Sequence, residues 1–199
     1  MERWRCWPWR IGKRRATPSS VAAVHNDQGA GHLYGGRLLE AEQALEQARV
    51  AYLHAGSRYG AAITRLNLAV ISESRGLPAQ ACEQLELLLQ ECREIGQVYV
   101  ECLASGNLAY ALHELGSDAK AWKHAQHALT LAHREDDRYL KANSHGAAAQ
   151  AAQGLRDWAG AIEHAGQAAL HHAAMHATEL VRTYQSLAAP VQCLTLCGT

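Results

Sequence analysis

Histidine is the residue type in this 199-residue chain that most clearly could bind a metal ion, and the chain contains twelve histidines. A neutral imidazole is a common ligand of zinc and other transition metals. His124 lies close to His127, and it shares one repeat position with His164, which it could face across neighbouring helices. A larger group near the carboxyl end consists of His164, His171, His172 and His176. No set of Cys ligands and no HExxH motif accompanies them, so we expect no metal ion and keep a histidine metal site as an alternative.

Catalytic motifs are absent from the sequence. It contains no GxxxxGK[ST] phosphate loop, no GxSxG nucleophile elbow and no recognisable protease set. Gly29, Gly31, Gly35 and Gly36 resemble a glycine-rich nucleotide loop, but no strand precedes them as that loop requires. We therefore predict a protein that is not an enzyme and holds no cofactor.

Small residues recur along the chain with a 40-residue period. Alanine occupies one column of this period, and glycine occupies a second column five positions earlier. The columns are Ala41, Ala81, Ala121 and Ala161, and Gly36, Gly76 and Gly116. A fixed period of this length is typical of stacked repeats. In the fourth unit Arg156 replaces the glycine, and we expect Gly154 and Trp158 to supply an equivalent turn.

Apolar periodicity within each unit predicts two helices joined by a short turn. The predicted pairs are 20–34 with 37–54, 61–75 with 77–96, 98–115 with 118–134, and 138–153 with 157–172. Alanine at the point where two helices cross lets their backbones approach closely. The alanine column therefore marks the crossings, and neighbouring units are expected to bury a continuous core.

The first fifteen residues differ in composition from the rest of the chain. They contain Trp4, Trp7 and Trp9 among six basic residues and one acidic residue, a mixture suited to a membrane surface or to nucleic acid. We nevertheless predict a disordered tail over residues 1–18. The remaining residues carry more acidic than basic side chains, so we expect no nucleic-acid binding outside that tail.

Composition favours a folded protein of the cytoplasm. Hydrophobic residues make up 48% of the chain and charged residues 19%, which is enough apolar material for a core. No apolar run has the length of a membrane span, and the start of the chain lacks the apolar stretch of a secretory signal. The six cysteines include no CxxC pair, and we expect them to be reduced thiols.

The repeat resembles the tetratricopeptide repeat (TPR) family over about residues 22–175. The motif of that family pairs a small residue on the first helix, a glycine at the turn and an alanine early on the second helix. The corresponding residues of the third unit are Asn107, Leu108, Ala109, Gly116, Ala121 and Ala128. The unit is longer than the common 34-residue form, and no proline closes it. It is similar to the 40-residue subclass of kinesin light chains and of bacterial signalling and transcription regulators.

The resemblance implies an all-α fold, a right-handed superhelical solenoid of four antiparallel helix pairs. We predict that this repeat domain covers residues 19–190, with a C-terminal capping helix over 178–189, followed by a loose tail over 191–199. The predicted units are about 22–61, 62–101, 102–141 and 142–176.

The resemblance also implies a concave groove, lined by the first helix of each pair, that holds a segment of a partner protein. It assigns nine residues to the groove: Ile63, Asn67, Val70, Leu103, Asn107, Tyr110, His113, Asn143 and Gln150. Asn67 and Asn107 occupy the same position of the period, and an Asn amide offers donors and an acceptor to a peptide backbone. Alternatively, each amide only braces a neighbouring helix.

The predicted function is that of a scaffold or adaptor that binds a peptide or a helix of another protein. Self-association through the same apolar groove residues is a further possibility. An alternative is the sensor or assembly part of a larger bacterial transcriptional or signalling regulator. The remaining alternatives are metal binding by the histidines and nucleic-acid binding by the basic tail. No membrane partner is expected.

Overall fold

The structure is a computed structural model that describes residues 18–174 as eight α-helices. The helices are α1 (Pro18–Tyr34), α2 (Leu38–His54), α3 (Arg58–Ser74), α4 (Pro78–Ile95), α5 (Val98–Glu114), α6 (Asp118–Glu135), α7 (Arg138–Gly154) and α8 (Trp158–Ala173). The predicted all-α class of four helix pairs is therefore confirmed over these residues. The tail predicted over residues 1–18 lies outside the described part of the chain except for Pro18, which begins α1. The capping helix predicted over 178–189 and the tail over 191–199 also lie outside it.

The helices begin at a constant 20-residue spacing, from Pro18 to Trp158. Each 40-residue repeat is thus divided into two equal halves, and we number the repeats one to four along the chain. The first helix of each repeat begins about one helical turn before the predicted unit start. Capping side chains define two of these starts, because Ser57 Oγ accepts a hydrogen bond from the Gly60 amide and Asp137 Oδ1 accepts one from the Leu140 amide.

The turns between helices depend on residues in the left-handed backbone region. Within repeats one to three, the turn residues Gly36, Gly76 and Gly116 have φ between 69° and 74°. A left-handed residue of this kind ends a helix, and glycine adopts it without steric cost. In the fourth repeat Arg156 itself takes this conformation, with φ of 61°. The expected replacement turn from Gly154 and Trp158 is therefore wrong, since those two residues end α7 and begin α8.

The described residues form two compact units, 18–100 and 101–174. In the first unit α2 packs against both α1 and α3, and α4 packs against α3. Ala41, Leu45 and Ile71 form a core cluster there. A Cβ atom at Gly29 would lie 2.6 Å from Leu45 Cγ, so glycine permits the close approach of α1 to α2. Small residues at these positions therefore control the helix spacing.

The second unit has a core that consists largely of alanine. Ala121, Ala125 and Ala128 on α6 have no exposed surface, and α7 packs against both α6 and α8. The buried Cys102 thiol donates a hydrogen bond to the Ala128 carbonyl at 3.3 Å, which joins α5 to α6. Close packing of small side chains thus replaces large apolar ones along this unit. None of the helices within residues 18–174 has the length and apolar character needed to cross a membrane.

Candidate functional site

The nine residues predicted to line a groove lie on three first helices, α3, α5 and α7. Their helical spacing puts the members on each helix along one side of it. We treat them as two sets because they belong to different compact units. The α3 stripe comprises Ile63, Asn67 and Val70. The α5–α7 stripe comprises Leu103, Asn107, Tyr110, His113, Asn143 and Gln150.

Asn67 is the polar centre of the α3 stripe, and its side chain is only 2% exposed. Its Nδ2 donates a hydrogen bond to Oδ1 of Asn26 on α1, at 3.3 Å. Val70 is also buried, whereas Ile63 is half-buried. The amide of Asn67 thus makes a contact that holds α3 against α1.

The α5–α7 stripe contains both buried residues and half-buried polar side chains. Leu103 and Asn107 are buried, whereas Tyr110, Asn143 and Gln150 are half-buried. The Tyr110 hydroxyl donates a hydrogen bond to the Asn143 carbonyl oxygen at 3.4 Å. This contact links the first helices of repeats three and four.

The amide of Asn143 lies in a space that a glycine provides. A Cβ atom at Gly106 would come within 2.7 Å of Asn143 Nδ2, so only glycine at this position of α5 fits the amide as it is placed. Asn143 Nδ2 is buried and has no hydrogen-bond partner among the described residues. A buried amide donor without a partner is energetically unfavourable.

His113 lies at the carboxyl end of the α5–α7 stripe and contacts a carboxylate. Its Nδ1 is 2.6 Å from Oδ1 of Asp118, at the first position of α6. A Cβ atom at Gly154 would overlap the Asp118 carboxylate, so the end of α7 also lies against this group. The turn between α5 and α6 is thereby held next to α7.

Four histidines from three helices of the second unit form a separate group, which we call the histidine cluster. Its members are His133 on α6, His145 on α7, and His164 and His171 on α8. The Nδ1 atoms of His145 and His164 are 3.0 Å apart. The ring centroid of His145 lies 5.2 Å from that of His164, 5.8 Å from that of His171 and 6.2 Å from that of His133.

His145, His164 and His171 of the histidine cluster favour the neutral state of the imidazole. Burial lowers the pKa of His145 to about 4, and the neighbouring His164, His171 and His133 contribute in the same direction. Burial also lowers the pKa values of His164 and His171. In the contact between His145 and His164, one neutral Nδ1 must donate and the other must accept.

The remaining predicted histidines lie outside this cluster. Nε2 of His127 is 2.8 Å from Oε1 of Glu101, which ties α6 to α5. His172 is buried on α8, where burial lowers its pKa to about 4, and His176 lies beyond the described residues. Among residues 18–174 no three His, Cys, Asp or Glu side chains converge closely enough to hold a metal ion as they are placed.

Two solved structures share this arrangement of helices. A signal transduction ATPase with numerous domains from Pyrococcus horikoshii, which has a tetratricopeptide repeat sensor, matches 88% of the chain with a TM-score of 0.64 at 15% identity. A protein from Podospora anserina, described as a putative kinesin light chain with nearly identical TPR-like repeats, matches 91% with a TM-score of 0.61 at 15% identity.

The chain has the tetratricopeptide repeat fold. It spans 28% of the Pyrococcus protein and 99% of the Podospora chain. At this level of sequence identity the likeness is one of fold. The sequence matches no protein-family model and no curated protein sequence.

Equivalent positions of the TPR fold carry different chemistry in different repeats. In repeat two, Arg65 on α3 forms an ion pair with Glu91 on α4. The equivalent residues two repeats later are His145 and His171, whose rings stack in repeat four with an interplanar angle of 21°. The cluster therefore occupies a position that a salt bridge fills elsewhere in the chain.

Sequence reasoning named His164 and His171 but missed His145 and His133. His145 stands alone among small residues on α7, and no period marks it. A signal was nevertheless present, because Arg65 and Glu91 are separated along the chain by the same distance as His145 and His171. Only the equivalence of the two repeats within the TPR fold gives that separation its meaning.

Proposed function

We propose that this chain is a non-catalytic scaffold of the cytoplasm that binds a segment of another protein along the first helices of its repeats. The observation that carries the proposal is the contact between Tyr110 and Asn143 on the α5–α7 stripe. It links the first helices of two consecutive repeats beside incompletely buried polar groups. A partner segment that crosses both helices would meet a single continuous surface.

The chemistry of the α5–α7 stripe suits a peptide backbone. A peptide presents alternating N–H donors and C=O acceptors, and the amide of Gln150 supplies both complementary groups. The ring of Tyr110 offers a large contact area with few rotatable bonds, which is why tyrosine is enriched at protein interfaces. Leu103 and Asn107 are buried on α5, and we assign them a supporting role.

The α3 stripe of the first unit is proposed to supply a separate apolar contact. Ile63 retains exposed surface, whereas Val70 and Asn67 are buried. We assign Asn67 a positioning role because its amide is engaged with Asn26. For Asn67 the binding prediction thus becomes a proposal in which the residue acts through α1 and α3, the two helices that it joins.

A displayed peptide library provides the test, since the sequence of each bound peptide is read directly from the selected clone. The affinities of the selected peptides for the unaltered chain and for the Tyr110→Ala and Gln150→Ala variants are then measured by fluorescence anisotropy. Lys123→Ala and Gln126→Ala serve as controls, because both residues are exposed on the second helix α6. The proposal expects a loss of about tenfold or more in the stripe variants, which is about 1.4 kcal/mol. Loss only in the α6 variants would move the binding surface to the second helices and overturn it.

A second candidate function is the sensor or assembly part of a larger bacterial regulator. The observation in its favour is that the chain matches a 28% portion of an ATPase whose structure includes a tetratricopeptide repeat sensor. The coding sequence next to the gene tests this candidate. A phosphate-loop or helix-turn-helix protein encoded immediately upstream would support it, whereas an intact secretion or signalling operon would favour the free-standing adaptor.

A further inference from the structure

We propose that the histidine cluster is a binding site for a transition-metal ion such as Zn²⁺, with His145 and His164 as its first two ligands and His171 as the third. The site lies on α7 and α8 of the second unit. It uses none of the residues assigned to partner binding, so a test of the metal site does not depend on the proposed function.

The distance between His145 and His164 carries the proposal. Zinc binds imidazole nitrogen at about 2.0–2.1 Å, so two nitrogens on one tetrahedral zinc are about 3.3 Å apart. The two Nδ1 atoms are 3.0 Å apart here. The ring centroids of His145 and His164 are separated by 5.2 Å, so the two rings point almost directly at each other across this contact. A small outward shift, together with a tilt of both rings away from the line that joins the nitrogens, would let a tetrahedral zinc ion replace the shared proton.

His171 requires a change of rotamer before it can complete the site. Its ring stacks on that of His145 at 5.8 Å, so its nitrogens do not point to the space between His145 and His164. The side chain is only half-buried on α8, which leaves room for rotation about its Cα–Cβ bond. Zinc sites with three protein ligands keep water in the fourth position. His133, which is exposed on α6, is a further candidate for that position.

The charges around the cluster nearly balance. Asp157 and Glu163 act on His164 and favour a cation, whereas Lys141 and Arg138 act on His171 and oppose one. Lys141 is itself paired with Asp136, which weakens its effect. The surrounding charges therefore neither strongly favour nor strongly oppose a bound cation.

Zinc titration of the full chain, purified without a histidine tag and treated with a chelator, tests the site. Binding to the folded state at about 100 times Kd should raise the melting temperature by about 5–10 °C. His145→Ala and His164→Ala should abolish the shift, whereas His54→Ala, which removes an exposed histidine of α2, should keep it. No shift in the unaltered chain, or an equal shift in His145→Ala and His54→Ala, would overturn the proposal.

A second measurement covers the case in which His145→Ala does not fold. The double variant His164→Gln and His171→Gln changes two half-buried side chains of α8 and leaves α7 intact. Visible absorption of bound Co²⁺ then reports coordination directly. The proposal requires a tetrahedral Co²⁺ spectrum in the unaltered chain that disappears in the double variant. A spectrum that persists there would show that other groups hold the ion.

Discussion

The amide of Asn67 on α3 donates a hydrogen bond to the side-chain oxygen of Asn26 on α1, and both residues are almost fully buried. Removal of Asn67 leaves the buried Oδ1 of Asn26 without this donor, which costs about 1–3 kcal/mol. We therefore expect Asn67→Ala to lower the free energy of unfolding by that amount in urea titrations. Gln43→Ala, at an exposed position of α2, serves as the control and should change it by less than about 0.5 kcal/mol.

The pair also predicts non-additivity. The double variant Asn26→Ala and Asn67→Ala should lose less stability than the two single variants together, because no orphaned amide remains. Equal stability of Asn67→Ala and Gln43→Ala would contradict the bracing role. Any peptide-binding test with Asn67→Ala must therefore be accompanied by a measurement of folding.

The alanine column predicts a sharp contrast within α6. Ala121 has no exposed surface, whereas Ala119 on the same helix is exposed. Ala121→Leu inserts three carbon atoms into a packed crossing and should cost about 1–3 kcal/mol. Ala119→Leu adds the same atoms on the solvent side and should be nearly neutral. Thermal unfolding of both variants checks the difference, and similar melting temperatures would argue against a tight crossing at Ala121.

The turn residues predict opposite effects of two substitutions. Arg156 has φ of 61°, a conformation that costs a residue with a side chain about 1–2 kcal/mol. Arg156→Gly should therefore stabilise the chain by about 0.5–1 kcal/mol, after allowance for the greater freedom of glycine in the unfolded state. Gly116→Ala, at the equivalent position of repeat three, should destabilise it by a similar amount.

Gly166→Ala is the matched control for the turn glycine. Gly166 is exposed in the middle of α8, and a Cβ atom there would meet no neighbouring atom within 4 Å. Alanine should raise the free energy of unfolding at this position by about 0.5–1 kcal/mol, because it favours the helix. If Gly116→Ala and Gly166→Ala shift stability in the same direction, the conformational argument for the turn fails.

Cys102 should resist alkylation in the folded chain. Burial raises the pKa of its thiol to about 12, and the thiol is fully covered. Because thiolate is the reactive form, iodoacetamide at about pH 8 should label Cys102 about a hundredfold more slowly in buffer than in urea. Peptide mass spectrometry measures both rates. Above about pH 9 the unfolded thiol ionises while the folded thiol keeps its proton, so this group lowers stability as the pH rises towards 12.

The period predicted the elements well because it records what all repeats share. Ala121 lies at a helix crossing and Gly116 at a turn, and most repeats have the same residue types at the equivalent positions. The predicted helix pairs agree with the structure to within a few residues. The first helices nevertheless begin earlier than the predicted units, since their first turns depend on caps such as Ser57 and Asp137, and the alanine column carries no information about those caps.

Features that differ from one repeat to the next could not be predicted in this way. Asn26 meets Asn67 although the two residues occupy different columns of the period. His145 meets His164 through a contact between columns that the period does not relate. Arg156 adopts the turn conformation despite its side chain, because the flanking helices determine the backbone there. Contacts between unlike columns require the three-dimensional arrangement.

The constant 20-residue spacing of helix starts has a consequence for the gene. Unequal recombination that adds or removes the coding length of two helices shifts the sequence by one whole repeat, and every alanine then meets the same kind of neighbour as before. An insertion or deletion of the length of one helix would instead put a second helix of a repeat in the place of a first helix. The buried face of that second helix would then be exposed. The chain can therefore lengthen or shorten in whole repeats without the need for a new kind of helix contact. Each added copy can then acquire its own polar residues.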